Sequence, residues 1–392
     1  MSSGRHNPSI ADGHAVLADR VFDGQRWHAE AAVLIRGGRI HGVGSWGEVS
    51  ADWPQTRLPI GTLLAPGFVD LQVNGGGGIL LNDQPTANGM RAIARAHRRY
   101  GTTACLPTLI TDTREQMQVA IAAARSIGGR DGVLGLHLEG PFISPKRPGV
   151  HRPDRIAQPS VGDLEQLCEL ADAGRSLVTL APECVPEGFV RTLAASGVRI
   201  SIGHSEASAA VVTQAVTHGA TGVTHLFNAM PPFSARVPGI IGAALADRRL
   251  TAGLIVDGIH VDPVSVRAAF LAKGSDRIAL VSDAMPTVGT SLDRFELVGR
   301  TIKLTDGRLT TEEGTLAGAH LTMASAVRNA VRLAELPLED ALRAASLTPA
   351  RFLGLEGERG LLIPGARADL VALSQELSVV ETWFEGRTAS VN

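Results

Sequence analysis

Glu139, His204 and His225 are the residues of this 392-residue chain whose types and placement could hold a metal ion. One carboxylate and two imidazoles form a donor set that zinc accepts in catalytic sites, where three protein ligands leave a fourth position for water. Either histidine alone is as well explained as a hydrogen-bonded residue of a core or loop. Position separates these three from that reading, because each closes a different aliphatic run: LHLEG, ISIGHS and VTHLFN. Asp283 closes another, ALVSDAM. A carboxylate there could take a proton from a metal-activated water, whose pKa the metal brings towards ~7. It could equally cap the helix that follows. Glu183 and His260 also fall at the ends of apolar runs.

The elements that must position these groups read as strands and helices in alternation. Eight apolar runs cover 68–74, 102–110, 133–140, 177–183, 199–205, 222–228, 251–260 and 277–284. Segments with apolar residues at helical spacing, such as 90–100 and 264–272, separate them. That is the rhythm of a parallel sheet, and eight units of it make a (β/α)8 barrel, which places catalytic groups at the C-terminal ends of its strands. Short runs broken by Gly and Asp before residue 62 return after residue 360, so the two ends are expected to meet in one small β domain. The fold class is therefore α/β: a (β/α)8 TIM-like barrel over 63–360, with a small β-sandwich domain built from 1–62 and 361–392.

Composition narrows the function further. With 37 Lys+Arg against 39 Asp+Glu the net charge is -2, and the basic excess needed to hold a nucleic acid is missing. Three cysteines, with no CxxC pair, support neither a disulfide framework nor a zinc knuckle, and a reducing compartment follows. The N-terminus MSSGRHNPSI has no apolar leader and no run reaches membrane-spanning length, so the cytoplasm is expected. The glycines 75–78 lack the GK[ST] of a phosphate loop, and Ser45 in VGSWG lacks a nucleophile elbow. Cys105 reads as a small buried hydrophobe, and Arg95, Arg98 and Arg99 as the solvated face of a helix.

PGFVDLQVNG, HLEGPF followed by Gly149 and His151, IGHS, THLFNAM, DGIHV, LVSDAM, GTLAGA and PGARADLVAL occur in this order over nearly the whole chain. Together they resemble the amidohydrolase superfamily and, within it, the deacetylases of N-acetylglucosamine 6-phosphate. The resemblance implies metal-dependent hydrolysis of an acetamide to glucosamine 6-phosphate and acetate, a step of amino-sugar catabolism and cell-wall amino-sugar recycling. It assigns the metal to Glu139, His204 and His225, and proton transfer to Asp283. Val150, His151, Asn228, Ala229, Leu316, Ala317 and Gly318 match contacts to the sugar and acetamide, with His151 polarising the carbonyl. Arg236 and His260 match the groups that hold the 6-phosphate, and a homodimer is implied, with Arg236 reaching across its interface. The residues alone leave Arg236 equally open to being a solvated loop cation.

One departure stands out. Where most amidohydrolases carry His-x-His for a second, buried metal, this chain has Gln72 and Asn74, neutral amides that are poor zinc ligands. One divalent ion per subunit is therefore expected, zinc first, with iron, cobalt or manganese also suited to the Glu/His2 set. Two other readings are an amidohydrolase for another N-acyl amino sugar or N-acyl amino acid, and a catalytically silent partner protein of the same fold.

Overall fold

The computed structural model describes residues 13–51 and 53–389. The N-terminal stretch MSSGRHNPSI read above lies outside the described residues. All eight expected runs form strands: β1 (Phe68–Val73), β2 (Thr102–Ile110), β3 (His137–Glu139), β4 (Leu177–Leu180), β5 (Arg199–Ile202), β6 (Gly222–Val223), β7 (Thr251–Leu254) and β8 (Ile278–Leu280). They pair in sequence order and in parallel. The ring closes just past β8, where Asp283 N donates to Gln72 O at 3.0 Å and Val73 bridges Ala284. Every residue of β1 and β2 is buried, as strands covered by crossover helices on the outside and by the packed barrel interior on the inside require.

A helix follows each strand, and several begin on a side chain that receives a backbone N–H of the first turn: Thr86, Thr113, Ser160, Ser208, Asp262 and Thr322. Each such cap contributes about 1 kcal/mol and fixes where the loop before it must end. Beneath the C-terminal mouth the barrel interior holds a polar layer. His137 Nε2 lies 2.7 Å from Thr179 Oγ1, Thr179 meets Thr224 at 2.6 Å, and Thr224 meets Ser201 at 2.7 Å. Burial pushes His137 down to about 4, so this imidazole is neutral at pH 7.

The chain ends meet as expected. Leu370–Leu373 pairs antiparallel with Leu63–Pro66, which lies beside Gly13–Phe22 in a sheet of eight strands. One face of this small β domain buries Val16, Val33, Ile35, Leu64 and Trp383. On the other, Trp46 and Trp53 cover Leu17 and Ala32. A further antiparallel meander, Arg294–Leu297, Arg300–Thr305 and Arg308–Thr310, was not anticipated from the sequence. Its turns are Val298-Gly299 and Asp306-Gly307, all at positive φ, the conformation that two-residue hairpins demand. Ile302 and Leu309 pack on Leu80, Ile110 and Met285, with Val150 against the same cluster, so the meander supports loops at the barrel mouth.

Arg359 and Asp369 form an ion pair with both side chains 4% exposed, and Asp369 also accepts the amide of Glu385. Removing one partner strands the other charge in a low-dielectric site. Asp369→Leu is expected to lower the unfolding free energy by about 3–5 kcal/mol in a urea titration, and Arg359→Met added to it should recover part of that loss. A loss under about 1 kcal/mol would show the pair to be solvated.

Candidate active site

The ends of five strands converge on one buried point. Glu139 ends β3, and its Oε1 lies 3.1 Å from His204 Nε2 and 2.9 Å from His225 Nε2, while the two imidazole nitrogens are 3.0 Å apart. All three side chains are at most 6% exposed. A tetrahedral zinc with bonds of ~2.0–2.1 Å would hold such atoms roughly 3.4 Å apart, so an ion is accommodated by shifts of a few tenths of an ångström. His204 Nδ1 donates to the Arg147 carbonyl at 2.8 Å, which leaves the Nε2 lone pair for a ligand. Glu183 does not enter the site; it accepts Ser205 Oγ at 2.7 Å and Glu206 N at 2.6 Å, holding the turn after His204.

The backbone turns sharply where these side chains are presented. His204, His225 and Asp283 all have positive φ, at 49°, 31° and 50°, a region that costs a non-glycine residue of order 1 kcal/mol or more. Gly140, after Glu139, has φ of 88°, and a Cβ there would fall 2.1 Å from Thr111 Oγ1, so only glycine fits.

Asp283 stands opposite. Its Oδ1 accepts Asn74 Nδ2 at 2.6 Å and Gln72 Nε2 at 3.0 Å, and the same Gln72 amide reaches both oxygens of Glu139 at 3.2 and 3.3 Å. The first-strand amides thus act as hydrogen-bond donors to both carboxylates. Burial alone would raise Glu139, but the His204 and His225 imidazoles against its oxygens outweigh it and hold the carboxyl well below its usual range. Asp283 goes the other way: burial and the nearby charge of Glu139 raise it to about 6, against His225, His260 and Asn74.

His151 joins the cluster, its ring 4.4 Å from that of His204 between centroids. One ligand-type atom each of Glu139, His151 and His204 lie within 4.8 Å of one another, so a second donor triad shares this point. Asn228 follows His225 in a turn where Phe227 and Ala229 are also at positive φ. Gly318 packs on the Asp283 backbone, Ala319 N donates to Asp283 O at 2.8 Å, and Leu316 and Ala317 tie the same loop to the meander. The His260 side chain is 7% exposed, with Nδ1 held by Asp257 Oδ2 at 2.6 Å. Arg236 lies apart, exposed on the loop after β6, with no partner within the chain among the described residues. Sequence reasoning missed Thr111 and Asp257, although Thr111 directly follows the apolar run of β2.

Residues 63–389 match the profile described as Amidohydrolase family, and residues 31–55 that of an imidazolonepropionase-like composite domain of bacteria. The chain belongs to the amidohydrolase family. An N-acetylgalactosamine-6-phosphate deacetylase of a Shewanella species is 40% identical over 384 residues, covering 96% of this chain and 95% of that protein. Two solved structures share the amidohydrolase architecture throughout. The N-acetylglucosamine-6-phosphate deacetylase of Pasteurella multocida has a TM-score of 0.92 at 33% identity, covering 96% of this chain and 99% of that one. An aspartate-to-alanine mutant of the Mycobacterium smegmatis deacetylase, in complex with N-acetyl-D-glucosamine-6-phosphate, has a TM-score of 0.89 at 32% identity, covering 97% and 100%. As an amidohydrolase the chain is a hydrolase of metal-dependent type, with Glu139, His204 and His225 as a fitting donor set.

Gly140→Ala should cost about 2–4 kcal/mol, from the left-handed backbone and the collision with Thr111 together. Equilibrium unfolding in urea reads this directly, and a change under about 0.5 kcal/mol would contradict the close approach.

Proposed function

We propose that this amidohydrolase removes the acetyl group of N-acetylglucosamine 6-phosphate, giving glucosamine 6-phosphate and acetate. The observation that carries the reading is the convergence of three ligand atoms, at 2.9–3.1 Å separations, beside an aspartate raised to about 6. Glu139, His204 and His225 would hold one divalent ion, zinc first, with Gln72 and Asn74 in place of ligands for a second. When bound, such an ion supplies Lewis acidity to an amide carbonyl and lowers the pKa of water. Asp283 takes the proton of the attacking water and passes it to the departing nitrogen, since an amine leaves poorly unless protonated. A carboxyl raised towards neutrality suits both halves of that exchange. His151 faces the carbonyl oxygen, while Val150, Asn228, Ala229 and Leu316 to Gly318 line the sugar.

Arg236 and His260 would grip the phosphate, which turns attack into an intramolecular-like step. Arg236 can do so from a second subunit, and its exposure without a partner supports a homodimer in which it completes the neighbouring site. The described cysteines are all free, which supports a reducing, cytoplasmic location, and no described helix is long and apolar enough to cross a membrane. The Shewanella relative supports the 4-epimer, N-acetylgalactosamine 6-phosphate, as a second substrate.

Acetate release by zinc-loaded protein tests the reading. N-acetylglucosamine 6-phosphate should be preferred over the unphosphorylated sugar by about 100-fold in kcat/KM, the worth of two charge-assisted hydrogen bonds. Equal rates would remove the phosphate assignment, and the galacto-epimer run alongside ranks the two sugars. Activity should fall as pH drops through the pKa of Asp283, because only the ionised carboxyl accepts the proton. Asn74→Leu removes a hydrogen bond that favours the charged form, so its acidic limb should move up by about one pH unit. An unmoved limb would separate Asp283 from the titrating step.

A further inference from the structure

His151 has two ring nitrogens, and what it can do at the centre depends on which carries the proton. Nδ1 lies against Thr111: the hydroxyl Oγ1 is 2.7 Å away, and the buried Thr111 backbone N–H points at the same nitrogen at 3.4 Å. That amide has no other partner among the described residues. A backbone N–H can only donate, so a proton on Nδ1 would set two hydrogens against each other and orphan a buried amide. With Nδ1 bare, the amide is satisfied and the hydroxyl can donate to the same lone pair. Glu139 O, 3.3 Å from the hydroxyl, is the only other acceptor within its reach among the described residues. Nε2 has no hydrogen-bond partner among the described residues.

We infer that Thr111 is a positioning residue that fixes the tautomer of His151, holding Nδ1 as acceptor so that Nε2 presents an N–H to the reaction centre. A neutral imidazole in this form donates a hydrogen bond to an oxygen as negative charge grows on it. It cannot act as a base through Nε2, and it cannot ligate a metal there without losing that proton. The tautomer therefore separates the two overlapping triads: His225 completes the metal set with Glu139 and His204, and His151 is left for the substrate. The catalytic part of this inference rests on the deacetylase reading above; the tautomer itself does not.

The experiment is a long-range 1H–15N correlation of histidine side chains on zinc-loaded, [15N]His-labelled protein, assigned by the signal lost in His151→Gln, with kinetics on the same preparations. The wild type should show Nε2 protonated and Nδ1 bare. Thr111→Val should admit the Nδ1-protonated form and lower kcat by about 10–100-fold with KM within about twofold, and Thr111→Ser should restore both. Protonated Nδ1 in the wild type, a metal-shifted Nε2, or a Thr111→Val enzyme with unchanged tautomer and kcat would each overturn the assignment. Should the tautomer be as stated while no N-acetylhexosamine 6-phosphate is hydrolysed, the deacetylase reading fails and the role of Thr111 in setting the ring stands.

Discussion

Two carboxyl groups are buried at the mouth of one barrel, and the rest of the site follows from how each is compensated. Taking an ion out of water costs several kcal/mol even after relaxation, so neither Glu139 nor Asp283 can stand alone. Glu139 is given His204 and His225; Asp283 is given the amides of Gln72 and Asn74. The compensation is unequal, since imidazoles can take up charge and amides cannot. One carboxyl is thereby held as a permanent anion suited to a metal, and the other is left close enough to neutrality to exchange a proton. Environments that push two acids apart in this way mark which is ligand and which is acid or base.

The same requirement reaches back into the fold. Gln72 and Asp283 sit where the barrel closes, and the backbone bond from Asp283 N to Gln72 O aligns the side chains that must meet. His204, His225 and Asp283 leave their strands through left-handed backbone, a strain that the buried hydrogen bonds around them sustain. Gly140 performs the matching task behind Glu139, admitting the Thr111 hydroxyl into the space a side chain would fill. Below, the His137 to Ser201 layer satisfies the polar groups of four strands and keeps the floor of the site rigid.

Much of this was legible in the sequence because buried parallel strands leave continuous apolar runs, and polar residues that end such runs stand out. Glu139, His204, His225 and Asp283 are conspicuous on that ground. The meander at 294–310 carries a weak signal: its DG turn is an ordinary hairpin marker, but Val298 is not, since a β-branched residue rarely adopts positive φ. Gln72 and Asn74 read as the lack of a second metal; their service to Glu139 and Asp283 depends on contacts more than 60 residues away along the chain. Thr111 carries no signal of its own, since threonine at a strand end is commonplace and its meaning comes from His151, 40 residues on. Arg236 is the converse: resemblance singles it out, while the described residues of one subunit give it nothing to bind.

The central claim is that Gln72 and Asn74 turn a two-metal barrel mouth into a one-metal site with a free aspartate. The most direct measurement is a crystal structure of the zinc-loaded protein with anomalous data on both sides of the zinc absorption edge. The account predicts one anomalous peak per subunit, within ~2.0–2.2 Å of Glu139, His204 and His225, with Asp283 still on its amides. A second peak between Glu139 and the first-strand amides, or a single ion bound by His151 in place of His225, would contradict it.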